Sequence, residues 1–143
     1  MRSYQRKMKK FEILDHTADV RARVFGNNPE NLFENAAGLL YHLMETSRGR
    51  QGTEESIMVE AGTLEDLLVR FLNELIYLAE TAGKAGRVKV ERISREGGRM
   101  SLSARMGSRQ AVSLGKEVKA ATYHGLKIKE EKGILSVSII FDV

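Results

Sequence analysis

The strongest candidate for chemistry lies in the last residues of the sequence. Their two-residue period predicts a strand whose apolar face carries Leu135, Val137, Ile139 and Phe141. Asp142 falls on the opposite face and the sequence stops one residue later, so its carboxylate is expected beside the α-carboxylate of Val143. Two anions this close repel each other unless a cation or hydrogen-bond donors intervene. The pattern fits half of a site for a hard cation such as Ca²⁺ or Mg²⁺, although these residues alone favour a solvated chain end.

A second group of reactive side chains lies near the start, in the segment Asp15-His16-Thr17-Ala18-Asp19. Asp15 and Thr17 are typical of turn residues that hydrogen-bond their own backbone. Asp19 is the better candidate for a metal ligand, because it stands where the predicted turn enters a strand. His16 and His124 could join a zinc site, but their spacing matches no common zinc motif, and a structural role is the simpler interpretation of His16.

A third group lies in the segment 116–125. Alternation predicts that Lys119, Ala121 and Tyr123 share one face of a strand, so that a cation and a phenol project together. Such a face suits a phosphate or the carboxylates of a partner. A solvated sheet surface explains the same pattern, and the residues alone favour that interpretation.

Several classes of enzyme are excluded by missing motifs. The sequence has no cysteine, which excludes disulfides, thiolate zinc sites and cysteine nucleophiles. It has neither of the glycine-rich phosphate-binding motifs and no nucleophile elbow. No catalytic residue is therefore predicted, and the chemistry indicates a small binding or accessory domain.

Two helices are predicted to position these residues. Asn28 followed by Pro29 is typical of a helix start, and the apolar stripe that follows predicts a helix over residues 29–44. Thr63 is expected to cap a second helix, which Gly83 and Gly86 end. The apolar stripe of this second helix is wide, which predicts deep burial.

The rest of the chain alternates as strands do. We expect polar loops over residues 46–55 and 107–116, a hairpin turn at Gly97-Gly98, and a strand that continues through Leu126 and Ile128. Strands and helices do not alternate regularly, which favours the α+β class over a doubly wound sheet. The predicted architecture is a two-layer sandwich, with two helices packed on a mostly antiparallel sheet.

The charge of the chain is concentrated at its start. The 143 residues carry 23 Lys and Arg against 19 Asp and Glu, but five of the cations lie within residues 1–10. Without them the net charge is −1. We therefore expect a flexible basic arm over residues 1–8 and one domain over residues 9–143. No apolar stretch approaches the ~18 residues of a membrane span, so the expected location is the cytoplasm.

Four blocks of this sequence resemble the archease family, in the same order and with similar spacing. The first block is Leu14–Val20 and the second is the second helix, with Glu65–Leu68 and Phe71–Leu78. The third is Glu117–Gly125 and the fourth is Phe141–Val143. The similarity covers about residues 9–143. The basic arm lies outside the resemblance. The loop at 46–55 is unusually rich in glycine and arginine, and the region 107–116 is short and basic.

The resemblance implies a function for the whole chain. Archeases are accessory proteins of RtcB-type RNA ligases, which join tRNA halves; they promote the GTP- and Mn²⁺-dependent guanylylation of a ligase histidine and permit multiple turnover. In some archaea the family is also described as a chaperone-like modulator of a tRNA cytosine methyltransferase. We therefore expect a ligase partner, with the methyltransferase as an alternative and tRNA contact only indirect or weak.

The resemblance also implies roles for individual residues. It implies a divalent-cation site formed by Asp19, Asp142 and Val143, with Ca²⁺ as the first candidate and Mg²⁺ or Mn²⁺ as alternatives. Residues expected to contact the partner are Lys119, Asp15, His16 and His124.

Two rival functions come from other classes. One is an RNA-binding module that uses the basic arm together with Arg105 and Arg109, which predicts RNA affinity that depends steeply on salt. The other is a metal-dependent hydrolase centred on Asp19, His16 and His124, which predicts phosphoester turnover without a ligase. The sequence contains no obvious nucleophile, so the hydrolase ranks last.

Overall fold

The computed structural model describes residues 8–16, 19–47, 50–110, 114–122 and 125–143. Within these ranges the chain forms eight strands and two helices. Their order is β1 (Phe11–His16), β2 (Asp19–Gly26), α1 (Pro29–Met44), β3 (Arg50–Ala61), α2 (Leu64–Ala82), β4 (Ala85–Glu96), β5 (Arg99–Gln110), β6 (Ala120–Thr122), β7 (Lys129–Glu131) and β8 (Ile134–Asp142).

The strands form two antiparallel sheets. The first has the order β1-β2-β8-β6, with β7 also paired to β8, and the second has the order β3-β5-β4. Helix α1 contacts β2 and β4, and α2 contacts β3 and β6, so each helix touches both sheets. The predicted α+β class is confirmed, and the strands are divided between two sheets instead of one. A helix with a wide apolar surface can bury two sides, which a single sheet does not cover.

Both helices begin and end as their sequences predict. The Asn28 side chain accepts a hydrogen bond from the backbone N–H of Asn31 at 2.8 Å, and the Thr63 hydroxyl accepts one from the N–H of Asp66 at 3.0 Å. Helix α2 stops at Gly83, whose φ of +60° lies in the left-handed region that glycine adopts without strain. These caps fix the helix ends and therefore the loops that lead into the sheets.

A core of aliphatic and aromatic side chains fills the space between helices and sheets. The rings of Phe33 on α1 and Phe71 on α2 lie 5.7 Å apart, and both side chains are fully buried. Phe141 on β8 is also fully buried. Truncating a buried phenylalanine to alanine typically costs about 3–5 kcal/mol, so this core holds β8 firmly in place.

Residues 50–55 and 107–110 of the two expected polar loops are strand, which corrects the sequence-based prediction. Strand β3 begins at Arg50 and β5 continues to Gln110, and these two residues are backbone partners. Backbone pairing holds these strand ends together even where exposed residues such as Glu54 and Gly107 face each other. Alternation of apolar residues reports burial, so it misses strand segments that extend beyond the core.

The strand expected through Leu126 and Ile128 is also shorter than predicted. Gly125 has a φ of +68°, and the backbone N–H of Ile128 donates to the Glu65 carboxylate at 3.1 Å instead of to a neighbouring strand. Strand pairing resumes only at Lys129. The hairpin turn at Gly97-Gly98 forms as predicted, with both glycines at positive φ.

Residues 1–7 lie outside the described residues, so the boundary predicted at residue 8 stays a prediction. Of the helices formed by the described residues, neither has the length and apolar character needed to cross a bilayer.

Candidate functional site

The pairing of β2 with β8 brings the start and the end of the chain together. In this antiparallel pair Asp19 is the direct partner of Asp142. Directly opposite residues of antiparallel strands point to the same face, with Cβ atoms about 4.5–5.5 Å apart. Both aspartates are exposed. Two carboxylates therefore stand side by side on the solvent face of the first sheet, and we call this pair the acidic tip.

The core determines the register that forms the acidic tip. Val20 pairs with Phe141 directly beside the two aspartates, and both apolar side chains are buried. Ala22 and Ile139, two residues further along the strands, form the next buried pair. A slip of one residue would turn the aspartates into the core and the apolar residues into water. The alternation predicted for the last strand is confirmed, with Asp142 pointing away from the core.

The segment that contains Lys119 lies on the other side of β8. The Lys119 backbone N–H donates to the Asp142 carbonyl at 2.8 Å, and its side chain is exposed. Strand β8 is therefore hydrogen-bonded on both edges at the acidic tip, which fixes its position. The backbone of Lys119, a predicted contact residue, therefore lies directly beside that of Asp142.

The expectation that Lys119 and Ala121 share a solvated face is wrong. Ala121 is only 4% exposed. Its backbone N–H donates to the Asn73 side-chain oxygen at 2.9 Å, and its carbonyl accepts from the Asn73 amide at 3.3 Å. These bonds tie the short strand β6 to α2 and turn Ala121 inward. Tyr123, the third residue of that predicted face, lies outside the described residues.

The remaining predicted contact residues are only partly described. Asp15 and His16 lie at the end of β1, where their backbones pair with Arg21 and Val20 of β2. Their side chains lie outside the described part of the structure, as does the whole of His124. The backbone of β1 therefore runs next to the strand that carries Asp19, and the roles of Asp15, His16 and His124 stay predictions.

A cavity of about 400 Å³ adjoins the acidic tip and was missed from the sequence. Its apolar lining is Ile13, Val20, Leu43 and Val143, and its polar lining is His42, Glu45, Lys116 and Glu117. An ion pair between Lys116 and Glu45, with 3.7 Å between nitrogen and oxygen, lies among these residues. Ile13 and its neighbour Leu14 are 44% and 45% exposed. The lining comes from several separate segments, so no local sequence signal reveals the cavity.

The donor set of the acidic tip suits a hard cation in kind, though it is incomplete. Neither Asp19 nor Asp142 forms an ion pair with any cation of the described residues. Across residues 8–16, 19–47, 50–110, 114–122 and 125–143, no three His, Cys, Asp or Glu side chains cluster as a metal site. Ca²⁺ takes six to eight oxygen ligands, so the two carboxylates need further oxygens from the main chain, water or a partner.

Comparison with known proteins assigns the chain to a family. Residues 11–143 match the model of the Archease protein family. The archease of Methanosarcina mazei is 31% identical over 141 residues, which cover 94% of this chain and 97% of that protein. The archease of Archaeoglobus fulgidus is 35% identical over 134 residues, with 92% of this chain and 98% of that protein covered.

Solved structures show the same similarity. The solution structure of Methanobacterium thermoautotrophicum protein 1598 matches with a TM-score of 0.78 and 30% identity, over 95% of this chain and all of that one. The crystal structure of a Thermotoga maritima archease, described as a possible chaperone, matches with a TM-score of 0.60 and 26% identity over 99% of this chain. The family match spans both strands of the acidic tip, and on this evidence the chain belongs to the archease family.

Proposed function

We propose that this protein is a non-catalytic accessory factor of an RtcB-type RNA ligase, and that it promotes the GTP-dependent guanylylation and repeated turnover of the ligase. Membership of the archease family supports the class of function. The observation that carries the proposal is the direct pairing of Asp19 with Asp142 on an exposed face. The chain would contribute a rigid, charged surface, and the ligase would contribute the reacting groups.

In this proposal Asp19, Asp142 and a main-chain oxygen of Val143 hold a divalent cation, with Ca²⁺ as the first candidate. The cation, when bound, neutralises the two carboxylates and presents positive charge at the surface. The side chains need no large rearrangement, because the strand register already aims both carboxylates to one side. The hydrogen bond from Lys119 to the Asp142 carbonyl keeps the end of β8 in place.

The acidic tip would act by stabilising one state of the ligase over another. A ligand shifts an equilibrium only by the difference in its affinity for the two states. A rigid tip that fits the guanylylation-competent ligase better than the resting ligase would therefore raise the rate of the covalent step. The exposed Lys119 side chain and the cavity beside Val143 are suited to contact the ligase around the tip.

Guanylylation of the ligase tests this proposal. We would mix the cognate ligase with labelled GTP and Mn²⁺ and follow the covalent guanylate with and without this protein. The wild-type protein should accelerate the reaction, and the variants Asp19→Asn and Asp142→Asn should not. Glu130→Gln is the matched control, since Glu130 is an exposed carboxylate on β7 of the same sheet.

The outcomes separate the two parts of the proposal. No acceleration by the wild-type protein would contradict the accessory function itself. Acceleration that is unchanged in Asp19→Asn and Asp142→Asn would contradict the role of the acidic tip and leave the accessory function standing. Phosphoester turnover by this protein alone would contradict its non-catalytic role.

A chaperone-like role toward a tRNA cytosine methyltransferase is the second candidate. The Thermotoga relative is described as a possible chaperone. Ile13, which lines the cavity, and its neighbour Leu14 are two large apolar side chains that stay nearly half exposed. Exposed apolar groups of this kind can hold an aggregation-prone partner. The replacement of both by serine should then reduce the suppression of methyltransferase aggregation without affecting ligase guanylylation.

A further inference from the structure

A row of cations runs along β4 on the outer face of the second sheet. Arg87, Lys89 and Arg92 are all exposed. Their backbone partners on β5 are Gly107, Arg105 and Ser103, which lie two residues apart and therefore on one face. A bulge between Val90 and Arg92 adds one residue to β4 and so keeps Arg92 on the face of the other two. We call these three residues the β4 cation row.

The nearby acids are largely neutralised by other arginines. Arg105 contacts Glu54 at 2.9 Å and Glu91 at 3.0 Å, and these contacts raise its pKa. Arg99 contacts Glu60 at 3.5 Å. In the described residues the β4 cation row forms no ion pair. The row is therefore available to an external anion, whereas Arg105, a candidate of the sequence-based RNA model, is held by two carboxylates.

A shallow cavity of about 420 Å³ continues from Arg92 across the sheet. Three hydroxyls of Ser94, Ser101 and Ser103 contribute to its lining, and the first two lie 3.2 Å apart. Glu60 and Glu96 also line it. Met58, 77% exposed, is the large apolar side chain that the described part of this surface offers.

The composition of this surface favours nucleic acid over a protein partner. Protein interfaces rely on a buried apolar centre, and on the described part of this surface Met58 alone is a large apolar side chain that is exposed. Phosphates and sugars are bound by arginine, lysine and serine side chains. The Glu96 carboxylate, exposed at the cavity, can accept a hydrogen bond from a ribose 2′-hydroxyl, a donor that deoxyribose lacks.

We propose that the outer face of the second sheet binds single-stranded RNA, with its phosphates on the β4 cation row and a ribose in the serine-lined cavity. The cations repeat about every 7 Å along the strand, a spacing that a flexible backbone can follow. This surface lies on a different sheet from the acidic tip, and the proposal does not depend on the accessory function.

Fluorescence anisotropy of a labelled oligouridylate of about 12 nucleotides tests the proposal. The triple variant Arg87→Gln, Lys89→Gln, Arg92→Gln should bind at least about tenfold more weakly and should flatten the dependence of log affinity on log salt by about two units. The matched control replaces Lys127, Lys129 and Lys132, exposed cations of the first sheet and its neighbouring turns, by glutamine. This control loses the same charge and should bind within about twofold of the wild type.

Four results would overturn the proposal. Equal weakening by the two triple variants would indicate general charge attraction. Equal affinity for the oligodeoxyuridylate would contradict recognition of the ribose. Competition by polyglutamate as strong as competition by RNA would indicate an acidic protein partner. Loss of binding on deletion of residues 1–8, with no effect of the triple variant, would assign the binding to the arm.

Discussion

The acidic tip and the outer face of the second sheet both place like charges opposite each other on paired strands, but they differ in whether neighbouring side chains compensate the repulsion. Lys89 stands directly opposite Arg105, but Glu54 and Glu91 neutralise that arginine. Asp19 stands directly opposite Asp142, and in the described residues neither is paired with a cation. Like charges directly opposite each other destabilise a sheet. The second sheet therefore compensates its opposed charges with its own carboxylates, whereas the described residues offer no such partner to the acidic tip, and the proposed cation would take that role.

The largest expected effect comes from loosening the core beneath the acidic tip. Phe141→Ala removes a fully buried ring next to Asp142, which should lower the free energy of unfolding by about 3–5 kcal/mol. Urea unfolding would measure the loss. Leu102→Ala is the counterpart under the second sheet and should cost about 2–5 kcal/mol without changing the affinity for Ca²⁺. A Phe141→Ala protein of unchanged stability would contradict the claim that the core fixes the tip.

A smaller effect of opposite sign is expected from relieving the repulsion. In the presence of a chelator, Asp19→Asn should stabilise the protein by up to about 1 kcal/mol, because it removes one of two opposed anions. Thermal unfolding would measure this, with Glu130→Gln as the neutral control. Destabilisation of the metal-free protein by Asp19→Asn would show that the carboxylate already has a compensating partner, and the contrast between the two surfaces would disappear.

The smallest expected effect tests compensation on the second sheet. Arg105→Gln leaves Glu54 and Glu91 without their cation beside the β4 cation row. The freed acids should weaken RNA binding by about two- to threefold, since exposed charge contacts are individually worth little. Anisotropy with the same oligouridylate would measure the change. An increase in affinity would show that Arg105 does not shield the row.

Local patterns in the sequence predict local structure well here. Asn28 and Thr63 cap their helices as predicted, and the alternation around Phe141 places Asp142 on the outer face. Each of these features depends on neighbours within a few residues. No local pattern predicts that Asp19 lies beside Asp142. That prediction came from the resemblance to archeases.

Features that depend on distant residues could not be predicted. The division into two sheets depends on the helices, each of which is covered on two sides. The extension of β3 and β5 depends on backbone pairing beyond the core. The ion pair of Arg105 with Glu54 joins residues 51 positions apart. The bulge that keeps Arg92 on the outer face is a backbone feature, and the alternation of apolar and polar residues does not predict it. The cavity beside Val143 likewise combines separate segments.

Calcium binding to the isolated protein, measured by titration calorimetry, is the decisive test of the cation site proposed at the acidic tip. The wild type and Glu130→Gln should each bind one Ca²⁺ per chain, and Asp19→Asn and Asp142→Asn should bind it at least about tenfold more weakly. Bound Ca²⁺ should stabilise the wild type by about 2.7 kcal/mol when free Ca²⁺ is a hundred times the dissociation constant. Equal Ca²⁺ affinity in all four proteins, or no binding by the wild type, would show that the acidic tip is not a cation site.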